Sequence, residues 1–127
     1  MVKMKFRAWD KDTKLLLDAN IIDYKKSVAI CEHWEFGETT ELTFVDIILM
    51  QSTGLKDKDG TEIFEGDIVD FRVPNQVISG VYQIKRARSG EWRMDNHRQG
   101  RVLVFSLDDV EVIGNIYENP ELMEKKA

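Results

Sequence analysis

The sequence has little of several residue types, and each shortage argues against a class of protein. One cysteine, Cys31, rules out an internal disulfide and is typical of a reducing compartment. Two prolines and no low-complexity tract give no sign of a flexible linker. No apolar run approaches the roughly 20 residues that cross a bilayer, and the N-terminal residues turn charged too early for a signal peptide. We therefore expect a cytoplasmic protein.

Histidine is also scarce, which limits metal chemistry. A zinc site needs three or four cysteine or histidine ligands, and the chain holds only Cys31, His33 and His97. The Asp-Lys-Asp-Gly run at 57–60 is similar to part of a calcium-binding loop. Its first and twelfth positions would be Leu55 and Gly66, which offer no side-chain oxygen. We expect no metal site and no cofactor.

The motifs of common enzymes are missing as well. There is no G-x-S-x-G elbow, no P-loop, and no cysteine in the local context of a known protease. The carboxylates at 62, 65 and 67 follow a predicted hairpin, where they commonly accept backbone N–H bonds. We expect no catalytic residues and predict that the protein is not an enzyme.

The composition is that of a folded domain with a core. Of its 127 residues, 43% are hydrophobic and 32% are charged. The formal charge of −5 argues against attraction of the whole chain to nucleic acid or to an anionic membrane. It leaves room for a local basic patch.

The N-terminal part contains short strand patterns. Lys3 to Trp9 and Leu15 to Leu17 flank a polar tetrad, which predicts two strands joined by a turn with Phe6 and Trp9 in the core. Residues 18–41 predict short strands and loops. Phe44 to Met50 fits a buried strand and also a single helical turn capped by residue 43.

Turn residues are dense in the middle of the chain. Gly54 predicts a turn, and Asp59-Gly60 is the strongest hairpin signal in the sequence, because glycine accepts a positive φ. Glu65-Gly66 predicts another turn. A strand from Ile68 to Val73 follows, with alternating apolar and charged residues.

The remaining strand patterns predict a small antiparallel barrel. They are Val81 to Ala87, Trp92 to Met94, Val102 to Leu107 and Val112 to Tyr117, with turns at Ser89-Gly90 and at Asp108-Asp109-Val110. Asn119-Pro120 predicts the start of a short C-terminal helix. We expect a mainly β protein in which an N-terminal β-rich subdomain (1–51) packs on an SH3-like barrel (52–127).

Three segments together resemble the YopX family of phage- and prophage-encoded proteins. They are KFRAWD (Lys5 to Asp10), ILMQSTGLKDKDGTEIFEGDIV (Ile48 to Val69) and EVIGNIYENPEL (Glu111 to Leu122). The resemblance spans nearly the whole chain, with a divergent stretch between Ile30 and Phe44. It implies a β-rich fold and self-association in a bacterial host cell. It implies no established activity and brings no catalytic residues.

A local reversal of charge is the best lead to function. The candidate nucleic-acid-binding residues lie between positions 85 and 101: Lys85, Arg86, Arg88, Trp92, Arg93, Arg98 and Arg101. Arginine pairs well with phosphate, and an exposed tryptophan stacks on a base. An ordinary solvated surface with Trp92 in the core explains the same pattern, and we favour it.

A protein partner is the principal functional hypothesis. The chain has three tryptophans, Trp9, Trp34 and Trp92, a large number to bury in so small a fold. Exposed aromatic residues anchor interfaces. The acidic tail, residues 118–124, is also able to dock on the basic stretch, within one chain or between two. We predict a non-catalytic protein-interaction or self-assembling module of a phage or prophage, with nucleic acid as the alternative partner.

Overall fold

The computed structural model describes residues 5–33, 35, 37–74, 76–103 and 109–124. Within these ranges the protein is mainly β-structure, as predicted. The strands are β1 (Phe6–Asp10), β2 (Leu15–Asp23), β3 (Val28–Glu32), β4 (Thr39–Thr43), β5 (Ile47–Lys56), β6 (Glu62–Phe64), β7 (Asp67–Phe71), β8 (Gly80–Arg86), β9 (Trp92–Asp95), β10 (Gly100–Val102) and β11 (Val110–Asn115), followed by a 3₁₀ helix, Pro120–Met123.

The chain divides into two compact units, Met1–Ser52 and Thr53–Ala127. In the first unit, antiparallel strands lie in the order β4-β3-β2-β1-β5. The buried residues of its core are Ala8, Leu17, Ala29, Cys31 and Ile47. These positions share one face of the sheet because side chains on a strand alternate between its two faces.

The β1–β2 hairpin confirms the two strands predicted around the polar tetrad. The Asp10 carboxylate fixes the turn by accepting the N–H of Asp12 at 3.0 Å. Phe6 and Trp9, the predicted core anchors, are not among the buried core residues; they lie on opposite faces of β1, and Phe6 shares the face of Ala8. Both rings are half-buried, and Ala8 is the fully buried residue of the strand.

The apolar run from Phe44 to Met50 begins as a turn and continues as a strand. The Thr43 hydroxyl donates to Asp46 Oδ2 at 2.8 Å, and the Asp46 N–H donates to the Thr43 carbonyl at 3.0 Å. Val45 is 80% exposed at this turn. The turn predicted at Gly54 is wrong, since Gly54 lies inside β5 with a φ of 78°.

The hairpin predicted at Asp59-Gly60 joins β5 to β6 in the second unit and is confirmed. Gly60 has a φ of 84°, and its N–H donates to the Asp57 carbonyl at 3.0 Å. The Asp57 N–H donates to the Thr61 carbonyl at 2.8 Å. A glycine at this position removes the steric cost of the left-handed backbone.

The rest of the second unit forms an antiparallel sheet in the order β10-β9-β8-β7-β11. The turns predicted at Gly66 and Gly90 are confirmed, with φ values of 87° and 102°. The buried core residues are Ile63, Val69, Phe71, Tyr82, Ile84, Met94, Leu103 and Val110. Val69 and Phe71 alternate with the half-buried Asp70 as predicted, but Ile68 on the face of Asp70 is also fully buried, and the strand ends at Phe71, short of the predicted Val73.

The prediction of a closed SH3-like barrel is wrong. β10 and β11 are the outer strands of an open sheet, and no pairing joins them within the described residues. The outer edge of β11 is bonded instead to the β5–β6 turn. The Lys58 N–H donates to the Val110 carbonyl at 3.0 Å, and Asp57 Oδ2 accepts the Val112 N–H at 2.9 Å.

The C-terminal helix is confirmed as a short 3₁₀ helix of four residues that begins at Pro120. Asn119 precedes it, but its side chain makes no cap bond and accepts the Asn115 N–H at 3.3 Å instead. Of the strand predicted from Val102 to Leu107, β10 contains Val102. Residues 104–108, with the predicted turn residue Asp108, lie outside the described residues, as does Trp34.

Candidate functional site

The basic stretch runs from the last two residues of β8 through β9 into β10, with the two connecting turns, and we call residues 85–101 the basic ribbon. It holds six basic residues and two acidic ones, a net charge of +4, in a chain whose formal charge is −5. All seven residues predicted to contact nucleic acid lie in the ribbon. The sheet register determines which of them share a face.

Lys85 and Arg93 point together to the outer face of the sheet. Their Cα atoms pair across β8 and β9. Ile84 and Met94 form the neighbouring pair and are buried in the core, so alternation directs Lys85 and Arg93 away from it. Asp95 Oδ1 lies 3.3 Å from Arg93 Nη2 and offsets part of this positive charge.

Arg86, Trp92 and Arg101 belong to the core-facing side. The Arg86 guanidinium lies 5.6 Å from the centroid of the Trp92 ring, and Trp92 packs against the core. Arg101 pairs with Met94, and its guanidinium lies 5.2 Å from the centroid of the Phe71 ring. These contacts have cation–π geometry, so both guanidinium groups are engaged within the protein.

Arg88 and Arg98 are exposed in turns at opposite ends of β9, a strand of four residues or roughly 13 Å. Asn96 Oδ1 orders the second turn by accepting the N–H groups of Arg98 and Gln99, each at 2.9 Å. The structure thus brings Lys85 and Arg93 together on the outer face and distributes the other predicted residues elsewhere. Their assignment to nucleic-acid binding stays a prediction.

The C-terminal tail contacts the ribbon at His97. His97 Nε2 lies 2.8 Å from the Met123 carbonyl oxygen, and the 3₁₀ helix packs against β8. A cavity of about 380 Å³ lies beside this contact and includes Arg98, Leu122 and Glu124 in its lining. The tail makes this contact through a backbone carbonyl, which has no net charge, so the contact does not neutralise the arginines of the ribbon.

The buried carboxylates of both units bond to backbone N–H groups. Asp10 accepts the Asp12 N–H at 3.0 Å, Asp57 accepts the Asp59, Thr61 and Val112 N–H groups at 2.9 Å, and Asp67 accepts the Phe64 N–H at 2.8 Å. Each of these bonds satisfies a donor at a turn or strand end. The three side chains therefore have structural roles.

The three cysteine and histidine residues have different surroundings. Burial raises the pKa of the Cys31 thiol, and the Asp10 carboxylate adds to the effect. His33 Nδ1 accepts the Glu35 N–H at 3.2 Å, and His97 contacts the tail. In the part of the chain that the structure describes, no three His, Cys, Asp or Glu side chains converge on a metal position.

The sequence analysis missed the outer edge of β4. This strand pairs with β3 over five consecutive residues without a bulge. The Phe44 N–H donates to the Ser27 carbonyl at 2.9 Å, so that pair is a hydrogen-bonded one. Alternation along an antiparallel ladder then turns the backbone N–H and C=O groups of Thr39, Glu41 and Thr43 away from β3. Among the described residues, no strand lies beyond β4.

The other described sheet edges are shorter or covered. β6 and β10 have three residues each. β11 is covered by the β5–β6 turn through Asp57 and Lys58. β4 has five residues, four of them exposed, and contains neither proline nor lysine, two residues that commonly protect an edge strand.

Comparison with known proteins now identifies the family. The family model described as "YopX protein" matches residues 5–124. The chain belongs to the YopX family. No curated protein matches it.

Two solved structures are similar to this YopX family member over nearly its full length. Protein EF1440 from Enterococcus faecalis has a TM-score of 0.69 and 32% identity, over 98% of this chain and 100% of that chain. Protein YopX from Bacillus subtilis has a TM-score of 0.63 and 21% identity, over 94% of this chain and 98% of that one. At 21% identity the second likeness shows the fold alone.

The segments that resemble the YopX family contain the residues that bond to the backbone. The central segment includes Asp57, Asp67 and the turn glycines Gly60 and Gly66, and the last includes Asn115. These residues determine where turns form and where strands end, so the resemblance to the family is a resemblance in fold. None of the helical residues described here forms a segment long and apolar enough to span a bilayer.

Proposed function

We propose that this YopX family protein acts by binding another protein, without catalysis, through the open edge of β4. The supporting observation is the row of outward N–H groups at Thr39, Glu41 and Thr43 and outward C=O groups at Thr39 and Glu41, next to a regular β3–β4 ladder; the Thr43 carbonyl accepts the Asp46 N–H. An extended segment that adds to such an edge forms main-chain hydrogen bonds along it. Side chains on the two faces then supply specificity.

The role without catalysis is supported by what the buried acids do. Asp10, Asp57 and Asp67 are the buried carboxylates of the described residues, and each accepts backbone N–H groups. A general acid or base must instead have its carboxylate directed at a substrate. We propose further, from the family resemblance alone, that the protein is a phage or prophage accessory protein in the cytoplasm of a bacterial host.

Blocking the edge tests this function. Glu41→Pro removes an outward N–H without taking a donor from the β3–β4 ladder, and proline is tolerated at such edge positions. Immobilised wild-type protein should capture a specific protein from host-cell extract, and the Glu41→Pro protein should not. Thr40→Val is the matched control, because the Thr40 N–H points to β3 and the outward groups stay intact. Equal capture by all three proteins would refute the role of the edge.

Copies of the chain itself are also candidate partners. Static light scattering over a wide concentration range should give a mass above the 14.8 kDa of one chain if the protein self-associates. A mass that remains monomeric at every concentration would leave a different protein as the partner.

Nucleic acid is the second candidate partner, and the pair Lys85 and Arg93 favours it. Like charges directly opposite each other destabilise a sheet, so such a pair fits a surface that meets an anion. Phosphate groups placed beside Lys85 and Arg93 would offset the positive charge of both side chains.

Removing this pair tests the second candidate. Lys85→Ala with Arg93→Ala should weaken binding to duplex DNA and lower the slope of log K against log salt by about 2, since each phosphate contact contributes about 0.9. Arg86→Ala is the control, because Arg86 lies over Trp92 on the other face. No binding of DNA or RNA by the wild type at low salt would exclude this candidate.

A further inference from the structure

We infer that the partner segment at the β4 edge is an extended, basic stretch of a different protein, with lysine or arginine alternating with apolar residues. This inference rests on the proposed function and specifies its ligand. It follows from the charge beside the edge, from the two faces of β4, and from the register that a second copy would have to adopt.

The β4 edge is acidic. Residues 32–43 contain four glutamates, at 32, 35, 38 and 41, and no lysine or arginine. Glu35, Glu38 and Glu41 are exposed. The nearest lysines in sequence, Lys25 and Lys26, lie in the β2–β3 turn, which meets the Thr43 end of β4. A segment paired with β4 therefore meets negative charge along residues 38–41, which a basic residue complements there.

The two faces of β4 call for different side chains in the partner. Glu41 pairs with Ile30 on one face, so the partner residue opposite Glu41 meets a carboxylate beside an apolar neighbour. Leu42 lies on the other face and packs against the core of the first unit. A partner residue beside Leu42 extends that core. Since side chains alternate along a strand, the complementary pattern is basic, apolar, basic, apolar.

A second copy of this chain fits the same edge poorly. Two copies of β4 paired about a two-fold axis at the middle of the strand place Glu41 directly opposite its own equivalent. Like charges directly opposite are destabilising in a sheet. A shift of two residues separates the carboxylates, but it leaves part of each five-residue strand unpaired. The favoured occupant is therefore a different, basic chain.

A set of capped eight-residue peptides tests the inference. The first alternates valine with lysine, the second alternates valine with glutamate, and the third is the first with N-methyl groups on alternate residues. Amide NMR of the full-length protein should show the lysine peptide shifting the outward N–H signals of Thr39, Glu41 and Thr43. The glutamate peptide should bind at least about fivefold more weakly, which corresponds to roughly 1 kcal/mol. The N-methylated peptide should not bind.

Variants of the edge give the complementary result. Glu41→Lys should reverse the preference between the lysine and glutamate peptides, and Glu41→Pro should abolish binding of both. Thr40→Val should behave as the wild type. Salt should reduce the difference between the two peptides, because it screens exposed charges, and leave the effect of N-methylation in place.

The outcomes separate this inference from the proposed function. Equal binding of the lysine and glutamate peptides would overturn the basic partner and keep the edge as a binding site. Binding of neither peptide, with a captured host protein still lost in Glu41→Pro, would also overturn the basic partner alone. If neither peptide binds and the Glu41→Pro protein captures the host protein as well as the wild type does, both the basic partner and the role of the β4 edge are refuted.

Discussion

Asp57→Ala should destabilise the protein by about 3 kcal/mol, because one buried side chain bonds three backbone donors. Asp57 is 7% exposed, and its carboxylate accepts the N–H groups of Asp59, Thr61 and Val112, each at 2.9 Å. The first two bonds close the β5–β6 turn, and the third joins that turn to β11. Alanine leaves these donors without their acceptor.

Asp59→Ala is the control for this substitution. Asp59 lies in the same turn, but it is exposed, so its loss should cost less than about 0.5 kcal/mol. Urea denaturation followed by tryptophan fluorescence measures both values. Similar losses in the two variants would mean that the three bonds to Asp57 contribute little.

The same carboxylate predicts a dependence of stability on pH. Burial alone raises the pKa of Asp57, but the N–H groups of Val112, Thr61 and Asp59 outweigh it and leave the pKa below its usual value. A lowered pKa in the folded state contributes stability above the unfolded pKa of about 3.9. This contribution is lost as the pH falls through the folded value. The difference between wild type and Asp57→Ala should therefore narrow below about pH 4.

Local turn chemistry is the part of this fold that the sequence predicts well. The turns at Asp59-Gly60, Glu65-Gly66 and Ser89-Gly90 all form, each with a positive φ at its glycine. A left-handed backbone is cheapest at glycine, so the requirement is visible in a few adjacent residues. Gly54 has the same φ sign within a strand, which shows that glycine alone does not distinguish a turn from an irregular strand.

Pairing between distant segments is the part that the sequence did not predict. Period-two alternation predicted β7, and strand-like runs between glycine turns predicted β8 and β9, but neither signal shows which strands lie next to each other. Asp57 and Lys58 bond to the outer edge of β11. Asp57 lies 55 residues from its partner Val112 in the sequence. A closed barrel was the simplest arrangement of these strands, and this long-range contact takes the place of one closing pair.

The candidate site was also predictable only in part, because alternation is visible in the sequence and strand pairing is not. Alternation explains why Lys85 and Arg93 share the outer face once the β8–β9 register is known. The same alternation places Arg86 and Arg101 on the core-facing side, where their guanidinium groups lie over aromatic rings. The β4 edge escaped prediction because residues 18–41 have no sustained period. Its exposure reflects the position of β4 as the outermost of the described strands in its sheet, which is a property of the whole sheet.

Asn115→Ala should cost about 2–3 kcal/mol, because Asn115 organises the bend after β11. Its side chain is buried, with 4% exposure. Asn115 Oδ1 accepts the N–H groups of Tyr117 at 3.0 Å and Glu118 at 2.8 Å, and Nδ2 donates to Glu118 Oε1 at 2.7 Å. Thermal denaturation at pH 7 measures the loss. An unchanged midpoint would show that water replaces these bonds without cost.

Asn115→Asp separates the acceptor role of this side chain from its donor role. The introduced carboxylate keeps the two backbone bonds but puts a second negative charge beside the Glu118 carboxylate. Repulsion from the Glu118 carboxylate raises the pKa of the introduced carboxyl group in the folded state, so this variant should regain stability relative to wild type as the pH falls from 7 to 4. Adding Glu118→Gln should remove that recovery, because it leaves one charge and restores a donor. A pH-independent loss in Asn115→Asp would mean that the two side chains separate, and that the acceptor bonds alone hold the bend.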